Sequence, residues 1–525
     1  MPDGDLPRVP GSDGPRSYDA LADHYGSLPA GVAREPAAVL RSMTRDLLAG
    51  AVNWRCPELQ YNLGAAVNVA AAAMYAAALD VNVYLINDGL AGNAVVAERA
   101  VGRILSQLAG VPTDHGHGLF TFGGTGTMAY AIKAGLRKVA PDSAQRGAPA
   151  AVAVVVTEDA HFSHATAADW LGVGSDHLIT LPADHERRTD LPGAETLLRD
   201  ALDRGIRIAT IIINGGTTYD HAIDDITAFA ALRDRLVEEY ELPYRPHLHV
   251  DSVVGWVWLI LRGHDFERDD LDVPGEVVDV LLRQRDRISP IRLADSWGVD
   301  FHKGLGACPV DCSFVQFNDR ADLARLRKGG PSGTALHQLA EEFSDVSPVD
   351  FTLETSRSAG KALAALASLH TLGRTGYQTI LARLMTATLA FRREVAAEPG
   401  LTVLNPHALG YQTMVRLLPP SATYLTAADE LYRSSADDAQ RVRDGNTYLK
   451  SFFAWDNDTR MIHNGGGAVY SFSSTYITTA SGAPISGLKF YPTNPQITVR
   501  HMEEAVRLLA DRKIQFDRLA QRDQT

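Results

Sequence analysis

The sequence has few cysteines, no long apolar run and no excess of basic residues. Its three cysteines among 525 residues are too few for a disulfide framework. No apolar run approaches the roughly 20 residues that a helix needs to cross a bilayer, and residues 1–16 lack the apolar core of a signal peptide. The net charge of −13 argues against an extended nucleic-acid footprint. We therefore expect a cytoplasmic protein that uses neither nucleic acid nor a membrane as a partner.

Metal ligands are also scarce. Cys308 and Cys312 have a spacing that would suit a metal, but no second cysteine pair or histidine ladder accompanies them. Buried thiols are the commoner explanation for such residues, so we predict no metal site. The remaining composition, 45% hydrophobic and 22% charged, is that of an ordinary globular protein.

The patterning divides the chain into four parts. Residues 1–16 are rich in Pro, Gly and Asp and are predicted to form a disordered tail. Residues 17–105 form a helical N-terminal segment, and residues 106–394 alternate strands with helices, which predicts an α/β large domain with a mostly parallel central sheet. Residues 395–525 are predicted to form a small α+β domain, with a helix over 427–442 and a strand over 447–455.

Several polar side chains follow the ends of predicted strands in the large domain. His161 follows the apolar run 151–157, Thr217 follows the β-branched run 207–214, and Asp251 ends the run 247–251. Lys303 follows a fourth apolar stretch. Since ligands in such sheets bind beyond the carboxyl ends of the strands, we expect these four residues to converge on one crevice.

Lys303 and a glycine-rich turn earlier in the chain each have a chemical interpretation of their own. Lysine is costly to bury, so one held at a strand end beside glycines is a candidate imine-forming nucleophile, although an exposed loop lysine is the commoner case. Gly123, Gly124 and Thr125 precede an Ala-rich helical run and can offer backbone N–H groups, a hydroxyl and a helix N-terminus to a phosphate.

Six stretches then form a set in chain order. They are Phe120–Thr127, Val154–His164, Gly216–Thr218, His247–Ser252, Ala294–Gly304 and Leu353–Ser358. In order and spacing this set resembles the pyridoxal-phosphate (PLP)-dependent group II amino-acid decarboxylases, the family of glutamate and aromatic-L-amino-acid decarboxylases. The resemblance covers about residues 50–515, and its imperfections indicate a divergent member.

The resemblance implies PLP fold type I (aspartate-aminotransferase-like), a homodimer and an amino-acid substrate. It implies that Lys303 forms the aldimine with PLP, that Asp251 holds the pyridine nitrogen, and that His161 covers the ring and faces the substrate carboxylate. It further implies loss of CO₂ through an external aldimine and a quinonoid, followed by protonation to an amine. Gly123, Gly124 and Thr125 would then hold the cofactor phosphate.

Further site residues are expected on the same basis. Ser296 and His302 are candidates for cofactor contacts, and Thr217 for a hydrogen bond near the aldimine. Trp54 lies in a loop that either shapes the substrate pocket or simply connects two helices. Arg357 is a candidate partner for an acidic substrate group, with a structural role as the alternative.

The chain departs from the family pattern in ways that leave the reaction open. Val253 and His221 stand where the family has a small residue and usually glycine, and the charge of Asp300 is unfavourable if it lies near the phosphate. The family's protonating tyrosine has no counterpart between residues 320 and 350, and His337 is the candidate replacement. The alternatives are a carbon–carbon lyase, an aldehyde-forming oxidative decarboxylase, or a non-catalytic binding protein of the same fold.

The substrate class is also open. It is either a free amino acid or one tethered to an acyl-carrier protein, which is acidic and would need a basic docking surface. A cluster of basic residues fits this second case, although a solvated helix face explains it equally well. The cluster consists of Arg320, Arg325, Arg327 and Lys328.

Overall fold

The structure is a computed structural model that describes residues 8–9, 18–28, 35–268, 271–328, 347–420, 432–464 and 469–522. These residues form two compact units. Unit 1 consists of residues 1–62, 390–406 and 413–525, and unit 2 of residues 63–389 and 407–412. Of the predicted disordered tail only Arg8 and Val9 are described, and the Val9 N–H donates to the Ala51 carbonyl.

Unit 2 is built on a seven-stranded sheet of order β1-β7-β6-β5-β4-β2-β3. Its strands are β1 His117–Phe122, β2 Val152–Thr157, β3 Leu178–Leu181, β4 Arg207–Asn214, β5 His247–Asp251, β6 Ser296–Asp300 and β7 Cys312–Phe317. Strands β3, β2, β4, β5 and β6 are mutually parallel, whereas β7 runs antiparallel to both β1 and β6. The prediction of a mostly parallel central sheet is confirmed.

The described residues before 330 contain twelve α-helices, of which the first two belong to unit 1 and the others to unit 2. In chain order the helices up to residue 330 are α1 Tyr18–Tyr25, α2 Pro36–Leu47, α3 Val69–Asp80, α4 Asp88–Ala91, α5 Val95–Ala109, α6 Gly124–Val139, α7 Ser143–Arg146, α8 Ser163–Trp170, α9 Leu191–Asp203, α10 Ile226–Glu239, α11 Gly275–Ile288 and α12 Arg320–Ala324. Helix α6 packs closely on the sheet because Gly135 has no side chain, and a Cβ there would lie 2.4 Å from the Ala209 carbonyl oxygen. This close packing fixes the N-terminus of α6 beside the strand ends.

The central strands of unit 2 are continuous apolar runs in the sequence because both of their faces are buried. Val154, Val155, Ile212 and Leu248 are fully buried, as expected for strands covered on both faces. The helical segment that follows the core sheet, α13 Gly360–Ala397, consists of two helices that meet at a kink at Gly373. Gly373 has a φ of 59°, which lies in the left-handed region that favours glycine.

Unit 1 contains an antiparallel sheet of order β10-β11-β9-β8. Its strands are β8 Leu401–Val403, β9 Thr413–Leu417, β10 Ser471–Thr478 and β11 Pro484–Phe490, and its long helices are α14 Ala439–Asn464 and α15 Val499–Arg522. None of the described helices combines the length and apolarity needed to cross a bilayer.

One element of unit 1 was predicted wrongly. Residues 447–455 were expected to form a strand, but they lie inside helix α14. Their aromatic richness favours a strand, yet the buried positions Val442, Leu449, Phe452 and Asp456 repeat with helical spacing. The tertiary packing of this apolar face therefore outweighs the local propensity. The helix predicted over 427–442 falls partly outside the described residues.

Candidate active site

A cavity of about 310 Å³ opens in unit 2 where β2, β4, β5 and β6 end. Eight of the predicted site residues line it, as the convergence of parallel strand ends requires. They are Gly123, Gly124, Thr125, His161, Thr217, Asp251, His302 and Lys303. Half of the sixteen described residues that line this cavity are therefore ones that the sequence analysis had singled out as site residues.

Lys303 lies three residues after the end of β6 and lines the cavity with its amine. Its Nζ is 2.8 Å from Oδ2 of Asp300, the last residue of that strand. Burial disfavours the ammonium, but the neighbouring carboxylates of Asp300 and Asp251 outweigh it and raise the pKa of Lys303. In this arrangement the lysine is a charged amine, and it has to lose its proton before it can act as a nucleophile.

Asp251 ends β5 and is held by a residue that the sequence reasoning did not single out. His164 Nε2 donates to Asp251 Oδ2 over 2.8 Å, and both side chains are buried. Burial alone would raise the pKa of Asp251, but the hydrogen bond from His164 and the charge of Lys303 lower it well below its usual range. Asp251 is therefore a fixed carboxylate, as required of a partner for a protonated ring nitrogen.

His161 precedes helix α8 and lines the same cavity. Its Nδ1 accepts the Ser163 N–H over 3.2 Å and lies 2.8 Å from Ser163 Oγ. Burial and the charge of Lys303 lower the pKa of His161, so its ring is neutral near pH 7. Since Nδ1 accepts, the ring proton resides on Nε2, where it can be donated to a ligand.

The glycine loop, residues 123–125, offers backbone N–H groups to the cavity. Gly123 adopts φ 91°, which a residue with a side chain rarely does, and it precedes helix α6 without contributing a side-chain cap. The first-turn N–H groups of α6 therefore have no capping side chain from that position, and a helix end of this kind attracts anions. A Cβ at Gly124 would lie 2.9 Å from Asp300 Oδ2, so this cradle tolerates only glycine without adjustment.

The turn that carries Thr217 is stabilised by hydrogen bonds of Thr217 and His221. Thr217 Oγ1 accepts the Ala222 N–H over 3.0 Å, which leaves its hydroxyl proton for the cavity. His221 adopts φ 54°, and its buried ring accepts the Trp258 Nε1–H over 2.7 Å while facing Gln412 on its other nitrogen. Burial lowers the pKa of His221 to about 4, so this ring is a neutral structural element.

Other predicted residues are placed elsewhere. Ser296 is buried within β6, where its hydroxyl is 2.7 Å from nitrogens of both His247 and His249, and it does not line the cavity. Arg357 is buried against Glu98, as its structural alternative predicts. Trp54 belongs to unit 1, where its carbonyl accepts a hydrogen bond from Asn494.

His337 falls in 329–346, outside the described residues, so its role stays a prediction.

Several polar residues that line the cavity were not predicted as site residues, among them Asp159 and Asn214. Asp159 pairs with Arg187, and burial raises its pKa to about 6 despite that pair. Asp159 and His164 both lie in the quoted stretch 154–164, so proximity to His161 was the signal that would have found them.

The residues present fit PLP. An amine, a fixed carboxylate, a neutral imidazole and an uncapped helix end surround one cavity, which are the four groups that this cofactor needs from a protein. Lys303 would hold its aldehyde carbon, Asp251 its ring nitrogen, Gly123–Thr125 its phosphate, and His161 would lie over its ring. The carboxylate of Asp300, which also lines the cavity, is not among the groups that this set requires.

Comparisons with known proteins point to the same family. No family model matches the chain. It is 28% identical over 177 residues to an L-tyrosine decarboxylase of Enterococcus faecalis, covering 31% of this chain and 28% of that protein. It is 27% identical over 347 residues to a probable L-aspartate decarboxylase of Halobacterium salinarum, covering 66% and 79%. For several curated relatives, the matched region spans less than two thirds of their length.

Solved structures extend the similarity to nearly the whole chain. A structure of Oryza sativa TDC with PLP and tryptamine superimposes with a TM-score of 0.75 at 16% identity and covers 97% of this chain and 94% of that one. A structure of mouse CSAD also gives a TM-score of 0.75, at 19% identity. The predicted fold, PLP fold type I with a mostly parallel central sheet, is confirmed.

Proposed function

Because this chain is a divergent relative of the PLP-dependent group II amino-acid decarboxylases, we propose that it is a PLP-dependent carboxy-lyase. It would remove the α-carboxylate of an amino acid to give an amine and CO₂. The observation that carries this proposal is the convergence of Lys303, Asp251, His161 and the glycine loop on one cavity.

The cofactor, when bound, would supply the electron sink that accepts the electron pair left at Cα as CO₂ departs. Asp251 supports that chemistry because its low pKa keeps a negative charge beside the ring nitrogen, with His164 fixing the carboxylate. Lys303 would have to lose its proton before it could hold the cofactor, and the substrate amine would then replace it there. Once displaced, the Lys303 Nζ could hold a proton.

His161 positions the substrate. With its proton on Nε2, it can donate a hydrogen bond to the carboxylate that is to be lost. A donor of this kind holds the carboxylate in one orientation and so selects which bond at Cα breaks. The proton that then goes to Cα is the open step, because residues 320–350 contain no tyrosine and His337 lies outside the described residues.

A second candidate function keeps the same cofactor. The missing tyrosine favours a reaction that ends without simple protonation at Cα, which is a carbon–carbon lyase or an aldehyde-forming decarboxylase. These functions differ in their products. Incubating the PLP-loaded protein with a panel of single amino acids and measuring CO₂ and amine tests the first, whereas aldehyde without amine supports the second. If PLP binds and no amino acid is consumed, the non-catalytic alternative gains support.

We propose a free amino acid as the substrate in preference to a carrier-tethered one. The basic residues that would attract an acidic carrier are partly neutralised, since Arg325 pairs with Asp322 at 3.1 Å and Arg327 with Asp350 at 3.5 Å. Turnover of an acyl-carrier-bound amino acid in the absence of any turnover of free amino acids would reverse this preference.

We propose a cytoplasmic homodimer. The three cysteines are buried and none of them forms a disulfide, which suits a reducing compartment. Helix α3 exposes the apolar side chains of Val69 (79%) and Leu79 (53%), and the following turn exposes Val81 (73%), as expected of a surface that a second copy covers. Sedimentation at micromolar concentration tests this directly: a dimer is expected, and a stable monomer with full activity would contradict it.

A further inference from the structure

Asp300 is a buried carboxylate at the centre of the cofactor site. Its side chain is 1% exposed and contacts Lys303 Nζ at 2.8 Å. The Ser313 hydroxyl on the neighbouring strand β7 donates to Asp300 Oδ1 over 2.6 Å, and His302 Nε2 lies 3.8 Å from Oδ2. These contacts hold the carboxylate in one orientation.

The same carboxylate lies against the glycine loop. A Cβ built on Gly124 would be 2.9 Å from Asp300 Oδ2 and 3.2 Å from Oδ1. Gly124 is the first residue of helix α6, and Gly123 provides no capping side chain. Asp300 therefore places a negative charge beside the helix end that is the natural position for an anionic ligand group.

Two consequences follow from that placement. The Lys303 amine is kept as an ammonium, the form that cannot attack an aldehyde. A phosphate at the N-terminus of α6 also meets a fixed carboxylate of the same sign, which opposes its binding. Both effects weaken the site for a phosphorylated aldehyde, but only the second depends on the phosphate.

Resting on the proposed PLP function, we propose that Asp300 is a positioning residue that acts as an internal counter-anion. It pairs with Lys303 in the cofactor-free protein and competes with the cofactor phosphate for the N-terminus of α6. The protein therefore loads and releases PLP reversibly and discriminates weakly between PLP and pyridoxal, which has the same aldehyde but no phosphate.

Asp300→Asn is the direct test because it removes the charge and keeps the shape. Equilibrium dialysis with PLP and, separately, with pyridoxal gives two dissociation constants for each variant at pH 8. The change in Lys303 acts on both aldehydes alike, so the ratio of the two constants isolates the effect on the phosphate. We expect the ratio of Kd for pyridoxal to Kd for PLP to rise roughly tenfold in the variant.

Asp159→Asn is the matched control. Asp159 lines the same cavity but pairs with Arg187 and contacts neither Lys303 nor Gly124. Its ratio should change much less than that of Asp300→Asn. Should Asp300→Asn fail to fold, as judged by its circular dichroism, Ser313→Ala removes the hydrogen bond that orients the carboxylate and should shift the ratio in the same direction by a smaller factor.

The outcomes separate this inference from the proposed function. An unchanged or lower ratio in Asp300→Asn, with PLP still bound by both proteins, overturns the role of Asp300 and leaves PLP binding intact. Binding of neither aldehyde to wild type or variant overturns both proposals. An increase in the ratio of equal size in Asp159→Asn would also overturn the inference, because the effect would then belong to the cavity as a whole.

Discussion

The buried ion pair between Glu98 and Arg357 gives a quantitative test of how unit 2 is stabilised. Glu98 accepts the Phe120 N–H over 2.7 Å and two Arg357 N–H groups over 2.9 and 3.2 Å. Arg357 Nη1 also donates to the Phe120 carbonyl over 3.0 Å. Both side chains are almost fully buried, at 4% and 7% exposure. The pair thus joins helix α5 and strand β1 to the segment that precedes α13.

Glu98→Gln keeps the shape but leaves the guanidinium without a counter-charge. One oxygen of the pair becomes an NH₂ group, which faces donors instead of accepting from them. Breaking a buried pair by removing one partner costs about 3–5 kcal/mol, whereas an exposed pair contributes about 0–1 kcal/mol. We therefore expect the free energy of unfolding of Glu98→Gln to fall by about 3 kcal/mol or more.

Urea unfolding followed by circular dichroism measures this loss, with Glu195→Gln as the control. Glu195 also pairs with two arginines, Arg199 at 2.7 Å and Arg235 at 2.6 Å, but at a half-exposed surface. The control should lose much less stability than Glu98→Gln, because exposed ion pairs contribute little. A loss in Glu98→Gln no larger than that of the control would refute the reasoning, and it would leave Arg357 available for the substrate.

Three further predictions follow from the site and its supports. Asp159→Asn should gain stability relative to wild type as pH rises from 4 to 7. The reason is that the pKa of Asp159 is about 6 in the folded protein and 3.8 in the unfolded chain, so folding disfavours the ionised carboxylate of the wild type. Thermal melting of both proteins at pH 4 and pH 7 measures this difference in stability. In denaturant unfolding, Gly255→Ala should lower the free energy of unfolding by about 1–3 kcal/mol or more, since its Cβ would lie 1.8 Å from the Gly215 carbonyl oxygen. Gly275→Ala is the control: its Cβ would meet nothing within 4 Å, so it should be neutral or slightly stabilising. Asp251→Asn should retain PLP by dialysis but lower turnover by about 100-fold or more; unchanged turnover would remove Asp251 from the chemistry.

Much of unit 2 was predictable because its signals are local. Parallel strands covered on both faces are continuous apolar runs, and Val152–Thr157 and Arg207–Asn214 have that form. Residues that follow such strands share one edge of the sheet, which is why His161, Thr217 and Lys303 could be grouped before any coordinates.

Other features of unit 2 could not be predicted, for physical reasons. The order of residues at one strand end does not show which side chains approach each other, so the position of Asp300 beside both Lys303 and the Gly124 backbone could not be derived from spacing. An arginine such as Arg357 looks the same in the sequence whether it binds a ligand or a buried glutamate 259 positions away. The approach of Asp300 to Gly124 and the pairing of Arg357 with Glu98 both depend on long-range contacts.

The central claim is that Lys303 carries the cofactor. Incubation of the full chain with PLP, borohydride reduction to make any lysine–aldehyde linkage permanent, and peptide mass spectrometry tests it most directly. We expect a single added pyridoxyl-phosphate group on the peptide that contains Lys303, with no such addition in Lys303→Ala. A linkage to any other lysine, or no linkage at all in a wild-type protein that is folded by circular dichroism, would contradict it.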